Sequence, residues 1–414
     1  MPLNRRRFVV LSGFALGTAT LGAACSQSIS QSIAQLADSS SGQTTPSSAP
    51  SSSAPSSSAS SPSPNAPTAA LPEPGTPIPG TPIAPANLYA PPRGDIRLAV
   101  ISDFNSEYGS TDYRPEVISG IRLLPGWQPD LVLCGGDMVA GQSISLSTAE
   151  VKAMWNAFDA KILTPIRDAN LPFALTIGNH DASSFQQGGE FIYVIDRQET
   201  SQYWAGHQTD TDLNFVDATG FPYYYSFTHK DIFYLTWDAS SANVPPEQVA
   251  WAERALSSPQ AQNAKLRMVM GHLPMYAVSQ RRDRPGEYLN QADELRQLLE
   301  RYNVHTYISG HHHAYFPGKV GNLNTLHLGA LGSGPRSLLS TNNAPFQTLT
   351  IMDVFVDTAS TVYTTYNMNT MEVVDLQSLP RQIVGPNGRE LRQDVTLADL
   401  TPAEKAQPYI PSET

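Results

Sequence analysis

"VHTYISGHHH", residues 304–313, is a β-branched, apolar run that stops abruptly at a glycine and three histidines. The run is continuous rather than alternating, as expected for a strand buried on both faces. Four further runs share this form: "IRLAVISD" (96–103), "DLVLCGGD" (130–137), "PFALTIGNHD" (172–181) and "RMVMGHLP" (267–274). Amphipathic helix patterns lie between many of them, around 114–124, 148–163, 247–257 and 290–302. The stretch 223–238 predicts a hairpin turning near His229–Asp231. Three late strands, "LNTLHLGA", "QTLTIMDVFVD" and "TVYTTYNMN", have no helix between them. The pattern predicts two sheets packed face to face with helices outside.

Each of the five buried runs ends in residues that can ligate. Asp103 follows the first and Asp137 the second, Asn179, His180 and Asp181 end the third, and His272 and His311 end the last two. Ligands of α/β sheets bind beyond the carboxyl ends of parallel strands, where loops from several strands converge. One such residue alone is more often a hydrogen-bonded loop group. Five strands delivering Asp, Asn or His at the same end point to a site. The set mixes carboxylates, an amide and imidazoles without a thiolate, which suits Zn, Mn or Fe. It is large enough for two ions sharing a carboxylate.

The chain ahead of these strands has a different character. "NRRRFVVLSGFALGTATLGAAC" carries Arg5, Arg6 and Arg7 before a short apolar run ending at Cys25. It is expected to be a twin-arginine-type export signal over residues 1–25, with a lipoprotein processing site at Cys25. Residues 26–92 are dominated by Ser, Pro, Ala and Thr and are expected to form an extended linker. The predicted location is therefore periplasmic or extracytoplasmic and tethered to the membrane. Beyond residue 92 there are 23 basic against 35 acidic residues, a net of −12. That surface disfavours nucleic-acid phosphates. The second cysteine, Cys134, is expected to be a small buried hydrophobe.

The series "DFN … GGD … GNHD … GH … GHHH" resembles the calcineurin-like metallophosphoesterase family, whose motifs read D-x-H, G-D, G-N-H-D/E, G-H and G-H-x-H. The resemblance spans about residues 95–375 and places the domain at 93–375, with 376–414 as a C-terminal tail. It implies a four-layer αββα sandwich of two mixed sheets flanked by helices. It also implies a phosphoesterase in which a metal-bridging hydroxide attacks phosphorus, acting on a small phosphoester as a monomer. The cofactors would be two divalent ions, Mn, Fe or Zn. Asp103, Asp137 and His313 would hold one ion. Asp137, Asn179, His272 and His311 would hold the other. His180 would face the phosphate and serve the leaving oxygen, oriented by Asp181.

The first motif departs from the family, with Asn105 where it has His. An amide oxygen there favours Mn. Purple acid phosphatases also lack that His but supply a Tyr three residues after the second-motif Asp. Here that position is Ala140. A tethered metal- or phosphate-binding protein with little turnover is the alternative that Asn105 supports. On an extended segment His311 and His313 project to one side and His312 to the other. His207, in the long loop after "GNHD", is expected nearest the substrate among the remaining histidines. Arg281, Arg282 and Arg284 are expected on a solvated loop.

Overall fold

The computed structural model describes residue 88 and residues 90–412. The export signal, Cys25 and most of the linker lie outside them. Leu88 and Ala90 are already core residues, so packing begins ahead of the boundary expected at 93. The Pro- and Ala-rich composition around them concealed that anchor.

The first part of the domain contains β1 (Ile96–Ile101), β2 (Leu131–Cys134), β3 (Phe173–Leu175), and a short hairpin of β4 (Gln186–Gln187) and β5 (Glu190–Phe191). β6 (Asn214–Gly220), β7 (Tyr224–His229), β8 (Ile232–Thr236), β9 (Leu266–Met270) and β10 (Thr306–Ser309) follow. Next come β11 (Phe316–Val320), β12 (Leu323–His327), β13 (Thr348–Phe355), β14 (Ser360–Asn367) and β15 (Glu372–Val373). β16 (Gln382–Gly385) and β17 (Gly388–Arg392) complete the set.

One sheet has the order β15-β14-β13-β1-β2-β3 and the other β16-β17-β11-β12-β10-β9-β8-β7-β6. Both are mixed. β1, β2 and β3 run parallel in the first, and β8, β9, β10 and β12 in the second.

Three apolar layers set the stacking. Ile96, Leu98 and Val100 of β1 meet Tyr234, Met268 and Ile308 of the other sheet. The alternate residues Ala99 and Ile101 face the opposite way, towards Ile121, Leu124 and Trp155. These come from the helices Pro115–Trp127 and Thr148–Phe158. On the far side of the second sheet, Leu235, Val269 and Tyr307 pack with Trp251, Leu295 and Leu299. Their helices are Pro246–Leu256 and Ala292–Arg301. The αββα sandwich follows from that alternation, and Cys134 sits buried within it. The predicted hairpin is β7–β8, with Lys230 at its turn in the left-handed region.

The expected tail from 376 is, through its described residues up to 412, part of the domain. β17 pairs with β11, and β16 with β17, extending the second sheet. A buried contact of 2.7 Å between His327 and Glu390 fastens this edge to the core.

Candidate active site

The strand ends meet at one edge of the sandwich. Asp103 N–H donates to the Gly136 carbonyl at 2.9 Å, and Phe104 N–H to that of Asp137 at 2.9 Å. Gly310 N–H donates to the His272 carbonyl at 3.0 Å, drawing the second sheet's loops together. Asp103, Asp137, His311 and His313 all have left-handed backbones, with φ of 56°, 57°, 63° and 52°. Non-glycine residues rarely adopt that conformation, and its clustering is characteristic of functional sites. It also corrects the expectation of an extended triple histidine: two left-handed residues, rather than strand alternation, aim these side chains.

Each candidate histidine has one ring nitrogen engaged away from the centre. His272 Nδ1 lies 2.7 Å from the Gly135 carbonyl, so that nitrogen carries the proton and Nε2 keeps a lone pair. That Nε2 faces Asn179 Oδ1 at 2.9 Å and Asp137 Oδ2 at 3.3 Å. His313 Nδ1 lies 2.9 Å from the Gly334 carbonyl, and its buried Nε2, with no hydrogen-bond partner, is 3.1 Å from Asp103 Oδ1. His311 Nδ1 is 2.8 Å from the same Asn179 Oδ1. With these imidazoles neutral, lone pairs face lone pairs in two places, an arrangement that a shared cation, a proton or a metal ion, relieves. Ligand atoms of Asp103, Asp137 and His272 lie within 4.8 Å of one another. The donor set fits two hard or borderline divalent ions.

Electrostatics show how the charges balance, a proton on His272 Nε2 serving Asp137 where a metal ion would otherwise sit. Burial opposes the charge on Asp137, yet His272 and His180 hold its carboxyl below the usual range. Burial likewise opposes charge on His272, but the Asp137 carboxylate lifts it to about 9. Burial and the Arg282 guanidinium push His311 well down, leaving it a neutral imidazole.

His312 points elsewhere. Its Nδ1 accepts from Val278 N–H at 3.2 Å and its Nε2 donates to the Glu287 carbonyl at 2.9 Å. Asn105 is buried, its carbonyl accepting from Ser333 N–H at 3.0 Å.

His180 sits beside these groups, its ring 5.3 Å from that of Tyr108. Its orienting partner is not Asp181. His180 Nδ1 contacts the Gly141 carbonyl at 3.0 Å. Asp181 instead accepts from the backbone N–H groups of Asp137, Met138, Val139 and Gly178, at 2.7–3.0 Å. A carboxylate at the third position of the short helix Asn179–Ala182 is drawn to free amides and so clamps the Asp137 loop. Asp196 steadies the next stretch, accepting from Gln142 N–H at 2.7 Å.

His207 does not approach the centre. It lies on the last turn of the helix Val194–His207, stacked on Tyr203 at 4.2 Å. Arg282 is not a solvated side chain, being 2.5 Å from Glu287 Oε2 and 3.0 Å from His311 Nε2. Sequence reading missed Glu287, whose Oε2 lies 3.0 Å from that same His311 Nε2. Only the concentration of charges in the 276–289 loop hinted at it. His311 is therefore the one candidate ligand among these histidines whose outer nitrogen meets a carboxylate side chain instead of a backbone carbonyl.

The model of the calcineurin-like phosphoesterase family matches residues 96–315. The chain belongs to that family. Its members are metal-dependent phosphoesterases, and the opposed lone pairs described above lie within the matched span. Among solved structures, the chain is similar to a purple acid phosphatase from yellow lupin (Lupinus luteus) seeds. The identity is 16 %, the coverage 69 % of this chain and 54 % of that chain, and the TM-score 0.50. The chain thus spans about half the length of that phosphatase, and the likeness is one of fold. A dimetal phosphatase from Danio rerio is 10 % identical, covering 63 % of this chain and 93 % of that one at a TM-score of 0.43. No curated protein matches the chain.

Proposed function

We propose that this phosphoesterase hydrolyses a small phosphate ester at two divalent ions. Asp103, Asp137 and His313 would hold one, and Asp137, Asn179, His272 and His311 the other. The observation that carries this reading is the double opposition of lone pairs, His313 Nε2 against Asp103 and the His272–His311–Asn179 group against Asp137. Bound there, the ions would supply charge for the phosphoryl oxygens and acidify water.

The chain's own residues account for the rest. Asp181 holds the Asp137 loop through three of its amides and its own helix start through that of Gly178. The Gly141 carbonyl fixes the Nδ1 proton of His180, leaving Nε2 to exchange a proton with the leaving oxygen. Tyr108 covers one face of that ring. Asn105, an oxygen donor where the family has imidazole, tilts the first site towards Mn²⁺ over Zn²⁺.

Export through the twin-arginine signal and tethering at Cys25 belong to the same proposal. Changing Arg5 and Arg6 to Lys should keep the protein in the cytoplasm, and normal export of that variant would contradict it.

The activity is tested by assaying mono- and bis-p-nitrophenyl phosphate with the chain stripped and reloaded with Mn²⁺, Fe²⁺ or Zn²⁺. Turnover should appear on loading and vanish with chelator. Full metal loading without turnover on either ester would favour a binding protein instead.

A further inference from the structure

We propose that the alcohol half of the ester is an uncharged carbohydrate at least two sugar units long. The inference rests on the phosphoesterase reading and names its substrate class.

A cavity of about 500 Å³ opens directly on Asn179, His180 and His311. A second, of about 610 Å³, adjoins it and shares Phe185, Ser241 and Asn243 with it. Each alone has the size that holds a drug-sized ligand, about 300–1,000 Å³. Together they form a two-compartment cleft leading away from the site, with Phe185 at the junction. An alcohol that ended in the first compartment would leave the second without a purpose.

Wall chemistry excludes several occupants. In the first compartment the charged pair Arg282 and Glu287 lie 2.5 Å apart and neutralise each other. In the second, Arg197 is paired with Asp238 at 3.0 Å, and Glu247 adds a carboxylate. Among the described residues lining the cleft, no arginine or lysine is left to receive a second phosphate, and Glu247 would repel one. A lipid chain is disfavoured by the polar wall, which carries Gln142, Ser240, Asn243 and Asn290 in the first compartment. Gln248 and Gln291 continue it in the second.

What remains is neutral, rich in donors and acceptors, and flanked by aromatic rings. Phe185 is 56 % exposed and Tyr108 63 %, and both line the compartment next to His180, where their faces are open to an occupant. Hydroxyl and amide side chains pair with sugar hydroxyls in either direction. Exposed rings cover the apolar C–H face of a pyranose while its polar edge stays hydrogen-bonded. The hairpin β4–β5 that borders the second compartment is held by Arg197, whose guanidinium lies 4.3 Å from the Phe191 ring. The reaction balances as hydrolysis. Water adds to phosphorus, the bond to the sugar oxygen breaks, and that oxygen takes a proton to leave a free sugar and inorganic phosphate.

The test compares kcat/KM of the metal-loaded chain on glucose 6-phosphate, trehalose 6-phosphate, AMP and p-nitrophenyl phosphate, and repeats it with Phe185→Ala. Trehalose binding is measured by calorimetry alongside. The disaccharide phosphate should exceed the monosaccharide phosphate and AMP by at least tenfold. Phe185→Ala should erase that advantage and weaken trehalose binding. Preference for AMP, equal rates on the two sugar phosphates, or indifference to Phe185→Ala would overturn the inference. Hydrolysis of p-nitrophenyl phosphate in those cases leaves the phosphoesterase reading intact. If no ester is hydrolysed, that reading falls, and absence of trehalose binding removes the carbohydrate site as well.

Discussion

Glu287 sets the state of His311, so removing it should cost a metal ion. Two groups compete for His311 Nε2, Glu287 Oε2 and an Arg282 N–H, each at 3.0 Å. With Glu287 present, Nε2 keeps its proton and donates it to the carboxylate, leaving a lone pair on Nδ1, which faces Asn179 Oδ1. In Glu287→Ala only Arg282 remains. A guanidinium can only donate, so Nε2 must accept and the proton moves to Nδ1, where it blocks ligation. Partners of this kind are worth about 10–100-fold in metal affinity, or about 1.4–2.8 kcal/mol at 1.4 kcal/mol per tenfold. Glu287→Gln keeps a carbonyl oxygen that can accept, so its loss should fall below tenfold. Arg282→Ala combined with Glu287→Ala removes the competing donor and should recover part of the affinity, a coupling that a double-mutant cycle measures. The assay is calorimetric titration of stripped protein with Mn²⁺ and Zn²⁺, with imidazole ¹⁵N shifts reporting the tautomer. Parental affinity in Glu287→Ala, or an unchanged tautomer, would refute this account.

Gly178→Ala places a Cβ 2.9 Å from Asp137 Cγ and closer still to its Oδ1 and amide nitrogen. The φ of −90° suits any residue, so the effect is steric, about 1–3 kcal/mol of stability, together with weaker metal binding on titration. Arg97→Met strips a buried guanidinium from Asp353, which it contacts at 2.9 and 3.1 Å. Denaturant unfolding should register a loss of about 3–5 kcal/mol, the typical cost of orphaning a buried charge. Burial raises the Asp196 carboxyl to about 6, so between the unfolded carboxylate value and that pH the folded state holds a proton that the unfolded chain has released. The stability it contributes is full below the unfolded value and falls as pH rises to about 6. Asp196→Asn should flatten that slope and raise stability at pH 7 by on the order of 2 kcal/mol; an unchanged pH profile would contradict the assignment.

The sandwich was legible because its strands carry apolar residues on both faces, and β1 divides its side chains between two cores. Helices with an apolar stripe, such as Ala292–Arg301 with Leu295, Leu298 and Leu299, were legible for the same reason. The helix Val194–His207 was not. Its buried residues include Asp196, Glu199 and Thr200 beside Trp204, so it presents no apolar stripe. The last sheet edge was missed because β16 and β17 are short and are joined by Pro386–Asn387, a turn that also suits a loose tail. At the site, residue types at the strand ends disclosed the candidate ligands. Their orientation was hidden, since it depends on left-handed backbones at Asp103, Asp137, His311 and His313 that no periodicity encodes. Asp181 and Glu287 act through partners distant in sequence. Glu287 meets His311 from 24 residues away, and Asp181 meets Met138 from 43.

The central claim, two ions sharing Asp137, is tested most directly by counting metal in purified, reloaded protein alongside three variants. The parent chain should bind two ions. His272→Ala and His313→Ala should each lose one while keeping the other. Asp137→Asn should weaken both together, because its carboxylate lies within 4.8 Å of ligand atoms of Asp103 from one group and His272 from the other. A parent that binds a single ion, or an Asp137→Asn variant that still binds two with parental affinity, would contradict the account.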